Sequence, residues 1–228
     1  MGNASLGTGV YTLQEASRLL TVPVSKLRGW VAGYPGTAAE PIITTEHEVL
    51  DNHVALSFIN LMEARFIDAF SKYGVHVRSI RLMAAEAKRV LNHSHPFATD
   101  FLFRTDGRKI FIEVAEETGD KKLYDLRGKN WAFHGLLAAA LKEGVVFGES
   151  GVARAWHPRP RITPNVVVDP RFAFGQPILE QSATPTRALL DAFHAEGESY
   201  EMVANWYQLP VEQVRQAIEF EFQLALAA

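Results

Sequence analysis

The sequence predicts a mainly α-helical chain with small β elements, an α+β fold. Three observations predict it. Apolar residues recur at helical spacing in most stretches between turn residues. Period-two or continuous β-branched runs are few and short. The composition, 47% apolar and 21% charged over 228 residues, is that of a globular chain able to bury a sizeable core. The expected order is an N-terminal helix-turn-helix, a middle helix/hairpin region, and C-terminal short strands followed by a three-helix module.

Thr12-Leu13-Gln14-Glu15 has the form of a capping box, so Thr12 starts a helix carrying Leu13, Ala16, Leu19 and Leu20 on one face. Val22-Pro23 interrupts it. Ser25 to Ala32 is a second helix, stopped by Gly33 and Pro35. Residues 41–47 fit a short strand. His53 to Tyr73 is a long helix with Ala55, Phe58, Ile59, Met62, Phe66, Ala69 and Phe70 along one face, and Gly74 suits its C-terminal stop. Arg78 to Leu91 is a further amphipathic helix. Asp106-Gly107 between Phe101–Arg104 and Lys109–Val114 predicts a hairpin, because glycine supplies the positive φ of a tight turn. Trp131 to Leu141 is a short helix. Arg154 to Pro164 holds three prolines in eleven residues and cannot be helix. It reads as a linker, dividing the chain near 158 into domains 1–157 and 158–228. Beyond it, Val166–Val168 and Phe172–Leu179 read as strands. Helices follow over Pro185–His194, Ser199–Trp206 with a serine N-cap, and from Pro210 to about Leu224.

Composition bounds function. Lys plus Arg is 23 and Asp plus Glu is 26, a net charge of −3, so no uniform polyanion-coating surface is expected. The acid excess sits at the C-terminal end: residues 151–228 have 6 basic and 9 acidic side chains. The absence of cysteine excludes thiol catalysis, disulfides and cysteine-ligated zinc. With no leader-like start and no membrane-length apolar run, the chain is expected to be cytoplasmic. His93 and His95 make a weak metal pair without a third ligand beyond Asp100, and no metal is expected. Glu113, Glu116, Glu117 and Asp120 read as solvated charge beside Lys121-Lys122. Phosphate-loop, dinucleotide and nucleophile-elbow motifs are missing. Neither catalysis nor a cofactor is expected.

Residues 11–34, YTLQEASRLLTVPVSKLRGWVAGY, place two short helices across a tight turn. Ala16, Leu19, Val22, Leu27 and Val31 bury against each other, leaving Ser25, Lys26 and Arg28 outward near the start of the second helix. Recognition helices meet DNA with those positions. Arginine and lysine serve phosphate or guanine, and serine serves phosphate. Tyr11-Thr12, Val22, Leu27-Arg28 and Trp30 resemble the DNA-binding head of MerR regulators. The resemblance supports DNA contact through Ser25, Lys26, Arg28 and Trp30. A head of this size reads a short half-site and rarely supplies enough affinity alone, so a homodimer on operator DNA is expected, with the helix at 53–73 or the strands at 166–179 as the interface. An alternative follows from the resemblance: a MerR-type regulator sensing a small ligand through residues 95–150, where Trp131, Phe133 and His134 would form a pocket.

Further on, Asp169-Pro170, Gly175-Gln176-Pro177, the Gly197-Glu198-Ser199 turn, Tyr207 and Val211 to Ile218 occur in the order found in a domain of unknown function carried by VapB-like antitoxins. The resemblance covers about 60 residues. Where that family has Gly-Thr-Arg-Ile-Pro, this chain has Gln181-Ser182-Ala183-Thr184-Pro185. The resemblance implies an antitoxin of a type II toxin–antitoxin pair, which neutralises a ribonuclease toxin with a PIN-like fold and represses its own operon. Ser199 to Glu221 is itself helix-turn-helix in outline. Its last helix has Glu212, Glu219 and Glu221 against Arg215 alone, which phosphates would repel, so the module faces protein. Apolar Val211, Val214, Ala217, Ile218, Phe222 and Leu226 exceed what its core needs. A PIN-like site gathers carboxylates that an arginine fork can engage, and the module's candidates for toxin contact are Arg159, Arg161, Arg171, Arg187 and Arg215.

Overall fold

The computed structural model of the protein describes residues 9–34, 36, 40–45, 54–101, 105–123 and 141–226. The chain enters through β1 (Tyr11–Thr12) and turns at once into α1 (Leu13–Leu20). The capping box forms as the sequence dictates: the Glu15 N–H donates to Thr12 Oγ1 at 3.2 Å, and the Thr12 N–H donates to Glu15 Oε2 at 2.8 Å. Thr21 ends α1 in the left-handed region, and Ser17 Oγ donates to the Val22 carbonyl at 2.6 Å, closing the turn. α2 (Val24–Ala32) follows from Pro23, and its last turn is held when the Ile42 and Ile43 N–H groups donate to the Trp30 carbonyl. β2 (Ala55–Leu56) pairs antiparallel with β1, Tyr11 opposite Leu56. This pair ties the start of the head to its exit. Residues 41–45 form no strand, while 46 and 47 lie outside the described residues.

α3 (Phe58–Lys72) is shorter than its apolar periodicity suggests, because Ser57 and Asn60 build a second capping box inside the expected helix. It is the central helix. Leu61, Ala64 and Ile67 are fully buried, and Phe66 stacks on Phe70 and Phe97 at 4.7 and 4.5 Å. Buried on nearly every side by its own chain, α3 is not available as a dimer surface. α4 (Val77–Leu91) packs against α5 (Thr105–Thr118). Asp120 caps α4 across the chain: its Oδ2 accepts from the His76 N–H at 3.1 Å and from Ser79 Oγ at 2.7 Å.

α5 overturns the expected hairpin. Ile110, Phe111, Val114 and Ala115 are all buried, the i, i+1, i+4, i+5 stripe of a helix rather than strand alternation. Burial of that stripe against α4 and Phe70 outweighs the local turn preference of Asp106-Gly107. The helix expected from Trp131 falls outside the described residues, apart from Leu141.

Four short strands, β3 (Val145–Phe147), β4 (Ala153–Trp156), β5 (Val166–Val168) and β6 (Pro177–Leu179), form one antiparallel sheet in chain order. Trp156 of β4 pairs with Val168 of β5, so the sheet runs through the expected boundary near 158. Arg154 to Pro164 is therefore a strand end and a packed loop, with Thr163 fully buried, rather than a free linker. Nor does a strand run through 172–179. Ala173, Phe174 and Gly175 have φ of 45°, 55° and 85°, a left-handed turn that delays β6 to Pro177. The free edge of β6 is bridged where Ile178 meets Pro185, so the 166–179 strands do not present an open interface either.

Three helices close the molecule: α6 (Thr186–Ala195), α7 (Tyr200–Tyr207) and α8 (Val211–Leu226). Ser199 caps α7 by accepting from the Met202 N–H at 3.3 Å. Leu189, Val203, Val214, Ala217 and Ile218 fill the space between these helices and the sheet. One continuous core runs from Tyr11 to Phe220. The N-terminal head is fastened to the module by the Tyr11 hydroxyl, which donates to the Gly175 carbonyl at 2.8 Å, and by the Val10 N–H, which donates to the Phe174 carbonyl.

Candidate nucleic-acid interface and the C-terminal module

On α2 the alternation of buried and exposed positions sorts the predicted DNA contacts. Leu27 is fully buried, and Ser25, Lys26 and Arg28 are exposed. Trp30 is 1% exposed. Its ring belongs to the core beneath α2 and cannot meet DNA, which corrects its place among the expected contacts; it fixes the angle of the helix instead. Neither Lys26 nor Arg28 has an ion-pair partner among the described residues. Pro23 at the N-cap leaves the first turn of α2 without a side-chain cap. The start of α2 thus presents two uncompensated cations, a hydroxyl and the positive end of a helix dipole on one surface, an arrangement that suits phosphate and base-edge acceptors.

The module presents the opposite chemistry. α7, the turn at Gln208–Pro210 and α8 repeat the helix-turn-helix outline. Here the outward positions are Glu201, Glu212 and Glu219, with Arg215 the exposed cation of α8. Arg215 lies over the Tyr200 ring at 4.3 Å. Apolar surplus is present, but it is placed differently from the sequence stripe. Val214, Ala217 and Ile218 are core, while Val211, Phe222 and Leu226 are exposed. Met202, Trp206 and Tyr207 of α7 are exposed as well, Trp206 by 65%. The sequence carried one signal for these, the four-residue spacing of Met202 and Trp206.

The five arginines expected to meet a toxin each have a partner within the chain. Arg159 is half-buried with its guanidinium over the Phe220 ring at 4.9 Å, and burial lowers its pKa. Arg171 forks onto Asp169, with Nε 2.9 Å from Oδ1 and Nη2 2.5 Å from Oδ2. Burial alone would raise the Asp169 carboxyl, but the hydrogen bonds from Arg171 outweigh it and hold the pKa below the usual carboxylate range. Arg187 pairs with Asp191 at 3.0 Å along α6. Arg161 meets Glu143 at 2.6 Å, yet its side chain remains 84% exposed, the most open of the group.

In the middle region, Arg65 is buried under Trp156 and donates to the Leu141 carbonyl and, at 3.0 Å, to the Glu143 carbonyl, with burial lowering its pKa to about 10. His95 Nδ1 lies 3.0 Å from Glu63 Oε2 in the interior, a structural pair joining the His93–His95 turn to α3. No group of three or more potential metal ligands gathers among the described residues. The Glu113–Asp120 carboxylates divide along α5 and its end, with Asp120 turned to α4 as its cap. Trp131, Phe133 and His134, the expected ligand pocket, lie outside the described residues. Among the described residues no helix is long and apolar enough to cross a membrane.

Comparison with known proteins follows these two regions. Residues 9–84 match a family described as "Putative DNA-binding HTH domain", which extends the head from 11–34 through β2 and α3 into α4. Residues 166–220 match a "Protein of unknown function (DUF433)". The chain is 29% identical over 225 residues to the "Putative antitoxin VapB45" of Mycobacterium tuberculosis, covering 92% of each chain. It is also similar to the X-ray crystal structure of Rv2018 from Mycobacterium tuberculosis, with a TM-score of 0.70 and 25% identity over 94% of this chain and 100% of that one. The chain is antitoxin-like over most of its length and resembles DNA-binding heads over its first third.

Proposed function

We propose that the chain is a DNA-binding antitoxin: its head reads operator DNA through Ser25, Lys26 and Arg28, and its C-terminal module holds a ribonuclease toxin of PIN-like fold. Repression of its own operon follows from joining the two, and reading paired half-sites calls for a homodimer. No catalysis is assigned to it. The observation that carries this reading is the outward Lys26–Arg28 surface, unpaired among the described residues, at the start of the second helix of a head matched to DNA-binding domains. Full-length similarity to a protein named an antitoxin supports the toxin-facing half. Met202, Trp206, Tyr207 and Val211 supply the aromatic, desolvatable surface on which a protein partner is anchored. Arg161, on an exposed turn where it also meets Glu143, is the arginine we assign to toxin carboxylates; Arg159, Arg171, Arg187 and Arg215 have partners within the module.

Replacing Arg28 by Ala tests the head. Loss of a base contact costs about 1–3 kcal/mol, a weakening of roughly 5- to 150-fold on the chain's own promoter, and a phosphate contact would instead lower the salt slope by about one unit. Fluorescence anisotropy showing wild-type affinity and an unchanged salt slope for Arg28→Ala overturns the assignment.

A further inference from the structure

Where the head meets the module, the packing leaves a cavity of about 450 Å³. One wall is α1, through Leu19 and Arg18. The other is the module, through Leu190 on α6 and Glu221, Phe222 and Leu224 on α8. The size lies within the range of small-ligand sites, and such sites favour junctions between structural units. Neither the DNA surface of α2 nor the α7 surface shares it.

Its polar chemistry is uneven. Thr186, fully buried, has one hydroxyl proton and two oxygen neighbours, Glu221 Oε1 at 2.5 Å and the Pro177 carbonyl at 3.2 Å. Both contacts are made at once when Glu221 carries a proton and donates it to Thr186, which then donates to Pro177. Burial favours that state by raising the Glu221 pKa. Among the described residues no cation forms an ion pair with Glu221, although Arg187 is close enough to favour its charged form and Asp191 to oppose it. Arg187 is paired with Asp191, Glu15 is engaged by Thr12, and Arg18 sits exposed on α1. The lining is mixed: Leu19, Leu190, Leu224 and Phe222 supply the apolar part, Arg18, Arg187 and Glu15 the other charges, and the exposed rings of Phe174 and Phe222 border the cavity, Phe222 beside His194.

We propose that this cavity binds a small aromatic cation, its flat body between Leu19, Leu190 and Phe222 and its positive charge against Glu221. A half-buried carboxylate costs desolvation unless an opposite charge meets it, and a bound cation takes the place of the proton. The aromatic rim favours the same class of ligand, because ring faces attract cations. As the two walls belong to the head and to the module, the ligand bridges them.

The test is a fluorescence titration of the full chain with berberine, a fluorescent aromatic cation, and in parallel with 1-anilinonaphthalene-8-sulfonate, an aromatic anion of similar size. Saturable berberine binding at one per chain is expected, with the anion binding at least tenfold more weakly. Glu221→Gln keeps a hydrogen-bond partner for Thr186 and removes the charge, and it should weaken berberine tenfold or more. Ala225→Trp fills the rim from an exposed position, so it leaves the core untouched and should block the probe. Absence of saturable berberine binding, equal binding of the anion, unchanged affinity in Glu221→Gln, or unchanged affinity in Ala225→Trp each overturns the proposal. Thermal melts of both variants establish that they are folded. Should Glu221→Gln unfold, Ala225→Trp together with the anion comparison decides.

Discussion

The head and the C-terminal module use the same helix-turn-helix outline for opposite chemistry. α1 and α2 close on Ala16, Leu19, Leu27 and Trp30 and turn Ser25, Lys26 and Arg28 outward. α7 and α8 close on Val203, Val214 and Ile218 and turn Glu201, Trp206 and Glu212 outward. Backbone geometry alone would make both of them DNA readers. The outward side chains separate them, since like charge against phosphate is unfavourable and exposed aromatic surface is suited to protein contact. Two scaffolds with one shape thus present different surface chemistry from a handful of positions.

The joint between them is the sharpest place to break the comparison. Gly175 has a φ of 85°, and a Cβ there would lie 2.3 Å from Tyr11 Oη. Gly175→Ala should destabilise the chain by about 3 kcal/mol, combining left-handed strain with overpacking. Because one core joins head and module, chemical denaturation should show a single transition moved to lower denaturant. Two separate transitions would mean that the regions fold independently.

A smaller effect is expected on the head side, at Asp120. Burial pushes its carboxyl up, but hydrogen bonds from Ser79 and from the backbone N–H groups of His76, Lys122 and Leu123 outweigh this and hold its pKa below the usual value. A folded-state pKa below the unfolded one gives stability that is present above the unfolded value, near pH 4, and lost as pH falls through the folded value. Asp120→Asn should cost about 1–2 kcal/mol at neutral pH, as loss of a helix cap does, and should flatten the acid limb of a stability profile. An acid limb identical to wild type would remove Asp120 from this role.

The smallest folding effect belongs to the module surface. Trp206 is 65% exposed, so Trp206→Ala should change stability by no more than about 0.5 kcal/mol while weakening toxin capture by roughly 2 kcal/mol or more. Isothermal titration with the toxin checks this. Unchanged toxin affinity would move the interface elsewhere.

Local signals were legible in the sequence, and long-range ones were not. The Thr12–Glu15 capping box, the Ser199 cap and the buried set Ala16, Leu19, Val22, Leu27 and Val31 follow from spacing within one or two turns, and the structure has them. At 110–115 the local turn pair Asp106-Gly107 points to a hairpin, whereas the helical stripe there is stabilised by burial against α4, which lies outside the local window. Trp30 was misplaced for a related reason, since large aromatics occur both in cores and on interfaces. Proline density marked a non-helical segment correctly, yet strand pairing between Trp156 and Val168 makes that segment part of one sheet. Arg159 finds Phe220, Asp120 finds Ser79 and Tyr11 finds Gly175 across 61, 41 and 164 positions. No local pattern announces such partners.

The central claim is that the head reads DNA and the look-alike module does not. Site-specific photocross-linking tests it directly. The photoreactive residue p-azidophenylalanine is placed at Ser25 on α2 or at Glu212 on α8, and each full-length chain is irradiated on its own promoter DNA. The account predicts a cross-link from position 25 and none from position 212. Cross-linking from position 212, or silence at position 25 with DNA bound, would contradict it.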